Sequence, residues 1–304
     1  MVLNDQAAGL RAMKGQFKQT VPDTSQLNLS TPELDQDHRV RVLAIASGKG
    51  GVGKTNVSVN LGVALSKLGH QVMIMDADFS LANVDIMLGL NTPFNLSHVI
   101  NGQKTLKEIV QPGPAGLKII PASSGVKRLA NLSPQENLGL LKEFERLGAD
   151  MDVLIIDTAA GIADSVVTFC QAAQDVLVVV CDEPASITDA YALVKVLSRD
   201  YGVKDFKLVV NMSRSPAHSQ RLFEKFSSVC KQYLQVSVSL FGAIPFDQDL
   251  RTAVQKQIPV VLSFPTSHAA KAFGNMAQKL HDKSDESQVG YFGKFVRSFL
   301  KTTP

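Results

Sequence analysis

Gly48-Lys49-Gly50-Gly51-Val52-Gly53-Lys54-Thr55 is the stretch on which the fold turns. Its G-x-x-x-x-G-K-[ST] spacing lets glycine backbone N–H groups wrap phosphates, with Lys54 reaching the β- and γ-phosphates and the Thr55 hydroxyl available to Mg²⁺. Lys49 is surplus to that motif. Upstream, Val42-Leu43-Ala44-Ile45-Ala46 reads as a buried parallel strand, and from Asn56 to Leu68 the chain reads as a helix. A strand-loop-helix order aims the helix N-terminus, with its dipole and unpaired N–H groups, at an anion.

Working outward, short apolar runs recur at 42–46, 72–75, 117–120, 153–156, 176–180, 207–210 and 240–244, with helical patterns near 56–68, 134–147, 164–173, 186–200, 219–233, 248–256 and 267–281. Near-continuous Val/Ile/Leu runs such as Val176-Leu177-Val178-Val179-Val180 mark strands covered on both faces by crossover helices. The expected fold is therefore α/β, a mostly parallel sheet of about seven or eight strands with helices on both faces. In such sheets ligands sit beyond the carboxyl ends of the strands.

Composition agrees. The 304 residues, 45% hydrophobic, suffice for one sizeable domain plus appendages. A formal net charge of +3 with no long basic block makes no demand for nucleic acid. Cys170, Cys181 and Cys230 are too few and too scattered for a disulfide framework and include no Cys-x-x-Cys pair, which reads as core thiols of a cytoplasmic protein. No apolar run is long enough to span a bilayer, so any membrane contact is expected to be peripheral. The domain reading is a short N-terminal segment (1–15), a polar linker (16–39), the main domain (40–281), and a polar linker with a tail (282–304).

Acids stand at two strand ends. Met73-Ile74-Met75-Asp76-Ala77-Asp78 closes one strand, and Leu154-Ile155-Ile156-Asp157 another. Asp157 is followed by Thr158-Ala159-Ala160-Gly161, where a glycine four residues on is placed to offer a backbone amide near a γ-phosphate, so Asp157 and Gly161 read as a switch that orders or releases with hydrolysis. Each acid taken alone reads equally as a helix cap or a solvated loop carboxylate.

Taken with the two-lysine loop, these segments resemble the deviant P-loop ATPases of the MinD/ParA family over about residues 40–280. The resemblance implies ATP/ADP and Mg²⁺ as cofactors, a nucleotide site from Gly48 through Asn56, and an ATP dimer that falls to ADP monomers. It implies that Lys54 and Thr55 bind phosphate and metal, that Asp76 and Asp157 hold the Mg²⁺ water shell, and that Asp78 positions the attacking water. Lys49 matches the signature lysine that approaches nucleotide across the dimer interface. Asn211 matches an asparagine that contacts adenine, with Pro245-Phe246-Asp247 lining the base, although a strand-terminal Asn also reads as a cap for the next helix.

The two ends carry further patterns. At about 100° per residue, Phe292, Phe295, Val296, Phe299 and Leu300 share one face and Lys294, Arg297 and Lys301 the opposite one, as an interfacial helix on an anionic membrane requires. A helix folded back onto the core reads the same way. At the N-terminus, Asp5-Gln6-Ala7-Ala8-Gly9-Leu10-Arg11 resembles the activating segment of FlhG/FleN-type flagellar-number regulators. That branch implies that Asp5, Gln6, Leu10 and Arg11 engage the flagellar GTPase FlhF, with a flagellar master transcription activator and C-ring components as further partners. It also implies residence in the cytoplasm, with peripheral inner-membrane association at the cell pole. No sequence-specific nucleic-acid binding is expected. The alternatives are a ParA-like DNA or cargo partitioning ATPase, a MinD-like division-site regulator, or an iron–sulfur assembly ATPase, the last requiring clustered cysteines.

Overall fold

The computed structural model describes residues 40–78, 83–121, 134–282, 292–293 and 295–296. In chain order the elements are β1 (Arg41–Ser47), α1 (Lys54–Lys67), β2 (Val72–Ala77), α2 (Val84–Met87), α3 (Leu96–Ile100), α4 (Leu106–Ile109), β3 (Gln111–Pro112), β4 (Lys118–Ile120), α5 (Pro134–Gly148), β5 (Val153–Ala160), α6 (Asp164–Ala172), β6 (Asp175–Val180), α7 (Pro184–Arg199), β7 (Asp205–Ser213), α8 (Pro216–Leu234), β8 (Ser237–Pro245), α9 (Gln248–Gln255), α10 (Val260–Ser263) and α11 (His268–His281).

Among the described residues, eight strands form one sheet in the order β3-β4-β2-β5-β1-β6-β7-β8. All neighbours are parallel except the β3–β4 pair at one edge. The seven expected strands and seven expected helices are present. Beyond them come the two-residue β3 and the short helices α2, α3, α4 and α10, each too brief to show a period. One had a readable signature: Thr105 and Glu108 form a capping box at the start of α4, each side chain accepting from the other's backbone N–H.

Side chains alternate along the strands into separate cores. Leu43 and Ile45 of β1 point into a cluster with α1, α9, α10 and α11, whereas Ala44 and Ala46 face α6, α7 and α8. Val42, Met73, Leu154 and Ile156 face α3 to α6 on that second side of the sheet. Each fully buried Val, Leu or Ile contributes roughly 1.5–3 kcal/mol, so burial on both faces is what makes these strands uniformly apolar.

Phe292, Phe295 and Val296 belong to that last cluster. Phe295 and Val296 are fully buried and Phe292 nearly so, among Leu140, Phe144, Leu147 and Phe169. The Phe295 ring lies 6.3 Å from that of Phe169 and 6.2 Å from that of Phe292, both stacked. The apolar face expected to meet lipid is here closed against α5 and α6. Phe299 and Leu300 lie outside the described residues, as do Asp5, Gln6, Leu10, Arg11 and the linker over 16–39. Among the described residues no helix is long and apolar enough to cross a membrane.

Candidate functional site

The loop between β1 and α1 lies at the carboxyl ends of β5, β1, β6 and β7, where the chain order of the parallel strands changes direction about β1. Two of its glycines are needed for different reasons. Gly53 opens α1 at φ +91°, and a Cβ there would come within 2.4 Å of Asn211 Nδ2. Gly48 has an ordinary φ, but a Cβ would fall 2.1 Å from the Asp189 carbonyl carbon, so it lets the loop lie directly on α7.

Lys54 is largely buried at the first position of α1. Burial pulls its pKa down, opposed by the charges of Asp157 and Asp78. Asp76 and Asp157 are direct register partners across the β2–β5 pair. Asp157 accepts hydrogen bonds from the Ser58 hydroxyl at 2.8 Å and from the Thr55 hydroxyl. Burial, reinforced by Asp76, pushes its pKa up to about 7. Asp76 accepts from the backbone N–H groups of Asp78 (3.0 Å), Asn83 (3.0 Å) and Val84 (3.1 Å), yet burial still lifts it to about 6. Ser58 escaped the sequence reading; its only signal is its place one turn after Lys54 on the same helix face.

This donor set fits Mg²⁺. Among the described residues no three His, Cys, Asp or Glu side chains form a metal cluster. One hydroxyl and two adjacent carboxylates suit an ion that retains several waters and binds phosphate oxygens. Two buried acids with raised pKa values are what such a cation would relieve.

Stability should follow. Both acids have folded pKa values above the ordinary 3.8, so the unfolded chain ionises first as pH rises. Their contribution is fully present below about pH 4 and is lost as pH climbs through about 6 to 7. Without Mg²⁺ and nucleotide, the melting temperature is expected to fall between about pH 4 and pH 7, and Asp157→Asn to flatten that slope. A thermal-denaturation series across pH checks both.

Lys49 does not point at the phosphate loop of its own chain. Its Nζ pairs with the Glu183 carboxylate at 2.8 Å, 134 residues away, at the start of α7. Both side chains are exposed, and the hydrogen bond to Glu183 is the main cause of the raised lysine pKa. Gly161 adopts φ +92°, and its N–H, expected to face a terminal phosphate, donates instead to the Ser47 carbonyl at 2.9 Å.

Beside the loop lies a cavity of about 560 Å³, and Asn56, Asn211, Pro245, Phe246 and Asp247 all line it. The roles divide, however. Asn211 is buried, donates from Nδ2 to the Val52 carbonyl at 2.8 Å and accepts from Met212 N–H at 2.9 Å, so it ties β7 to the loop. Asp247 caps α9 by accepting from Asp249 N–H and reaches Ala269 N–H with its other oxygen, each at 2.8 Å. With both oxygens engaged, it braces α9 and α11 at the wall of the cavity. Phe246 is exposed at the cavity wall, with the Arg251 guanidinium 5.9 Å from its ring centre.

The family model described as "ParA: NUBPL iron-transfer P-loop NTPase" matches residues 39–281. The antiactivator FleN of Pseudomonas aeruginosa is 51% identical over 248 residues, covering 82% of this chain and 89% of that protein. The flagellum site-determining protein YlxH of Helicobacter pylori is 31% identical over 278 residues, covering 90% and 94%. Among solved structures, the septum site-determining protein MinD of Pyrococcus horikoshii, complexed with Mg-ADP, superposes with a TM-score of 0.63 at 25% identity, over 79% of this chain and 96% of that one. A match of this extent settles membership: the chain belongs to the MinD/ParA family of P-loop ATPases, and it is an ATP-hydrolysing enzyme that uses Mg²⁺.

Proposed function

We propose that this ATPase is a dimerising switch that sets flagellar number and placement. The observation that carries the reading is the 51% identity to an antiactivator over most of both chains. Homodimeric behaviour that depends on ATP and ADP is typical of the family, and the geometry suits it. Lys54, Thr55, Asp76 and Asp157 hold nucleotide and Mg²⁺ within one chain, while Lys49 faces outward toward Glu183 and is free to exchange that exposed partner for the nucleotide of a second chain. Bound Mg²⁺ would neutralise charge on the transferring phosphoryl group. Asp78 orients the attacking water, and Gly161 exchanges the Ser47 carbonyl for phosphate.

The outputs follow as parts of the same proposal. Residues Asp5, Gln6, Leu10 and Arg11 act on FlhF, and the ATP dimer engages a flagellar master transcription activator and C-ring components. Phe292, Phe295 and Val296 leave their seat on α5 and α6 to meet an anionic membrane at the cell pole, two tails per dimer giving avidity that one lacks. An iron-transfer role is disfavoured, because Cys170, Cys181 and Cys230 are separate buried thiols, with burial pushing Cys170 up to about 12 and Cys230 up to about 11.

Counting flagella by electron microscopy in a deletion strain tests the cellular reading, since an unchanged count would defeat it. In vitro, Asp78→Ala is expected to bind ATP, fail to turn it over and accumulate as dimer in sizing experiments. A variant that stays monomeric with ATP gives Asp78 another role.

A further inference from the structure

The short helix α2 follows the acid-bearing strand β2 and is held at both ends. At its start, the N–H groups of Asn83 and Val84 donate to one oxygen of Asp76. At its end, the Ile86 carbonyl accepts from Gln257 Nε2 at 2.6 Å, across 171 residues. Four residues do not sustain a helix alone, so α2 depends on such tertiary ties. Ile86 contributes little burial of its own, being 62% exposed.

Gln257 sits just beyond α9, and α9 supplies Leu250, Arg251 and Val254 to the wall of the base cavity. Its backbone adopts φ +55°, a left-handed conformation that glycine or asparagine takes at less cost at a helix end. What glutamine offers there is reach. The far side is shaped to receive it: Gly89 has φ +62°, and a Cβ there would stand 3.3 Å from Gln257 Oε1.

We infer that Gln257 is a positioning residue for ATP hydrolysis, tying the helix that lines the base cavity to α2 and, through the first amides of α2, to Asp76. It touches neither phosphate nor metal. It fixes the strut between them, so that a base seated against α9 steadies the carboxylate beside the phosphates. The inference rests on ATP hydrolysis by this chain and is independent of the flagellar reading.

Gln257→Asn and Gln257→Gly test it, because both residues tolerate the positive φ while one shortens the amide and the other removes it. With the full chain and Mg-ATP, kcat is expected to fall about five- to tenfold, the scale of one hydrogen bond, with ATP affinity within about twofold of the parent. Hydrogen exchange over residues 83–90 adds a readout that a plain helix stop would leave alone. In the parent, Mg-ADP is expected to slow that exchange more than Mg-tripolyphosphate, which has no base, and in both variants the two ligands should become equal. Unchanged kcat in both variants, equal loss of kcat and affinity, or a retained difference between the two ligands would overturn the inference.

Discussion

Lys49→Ala is expected to abolish ATP turnover while leaving ATP bound. The bound state should survive because Lys54, Thr55 and the loop amides lie within one chain, and Lys49 points away from them to Glu183. Turnover should not, because a cation delivered from a partner to a transferring phosphoryl group is worth roughly 10³- to 10⁵-fold in rate where arginine plays that part. The Lys49–Glu183 pair is exposed on both sides and contributes little to folding, so the variant should melt like the parent. Equilibrium ATP binding, single-turnover hydrolysis and sizing with ATP measured together separate the outcomes. Normal hydrolysis would remove Lys49 from the mechanism, and loss of ATP binding would make it a ligand of its own chain.

Gly148→Ala should expel the tail. A Cβ at this position would lie 2.6 Å from Cε1 of Phe292, and that ring is packed among Phe295 and the α5 side chains. Gly148 is the last residue of α5, where alanine costs the helix nothing by propensity, so any loss falls on docking. Displacing Phe292 forfeits roughly 1.5–3 kcal/mol of burial, a shift of roughly ten- to hundredfold toward the undocked tail. Flotation with vesicles containing anionic lipid is then expected to recover the variant without ATP and the parent only with ATP. If the variant floats no better than the parent, the tail serves as a structural strap.

The architecture was legible because its signals are local. A phosphate-loop spacing, Val/Ile-rich runs and strand-end acids placed the sheet, the major helices and the loop. What stayed hidden depends on register and distance. Nothing in the sequence says that Asp76 and Asp157 stand side by side, since that follows from β2 and β5 pairing without a slip. Glu183 as the partner of Lys49, and Gln257 as that of Ile86, are contacts between segments that only the closed fold brings together. Asn211 and Asp247 both line the cavity beside the loop, but their bonds to Val52 and to Ala269 were not readable from the sequence. For Phe292, Phe295 and Val296, periodicity revealed an apolar face and could not name its cover, because lipid and a groove between helices make the same demand on a side chain.

Strands β2 and β5, which carry Asp76 and Asp157, each reach two layers of the core. Along β5, Val153 and Ile155 engage the layer containing α1 and α11, while Leu154 and Ile156 engage the layer that seats Phe292 and Phe295. Asp157 is the next residue of that same strand. An axial shift of β5 would therefore be felt in both layers at once, and Asp157 would ride with it.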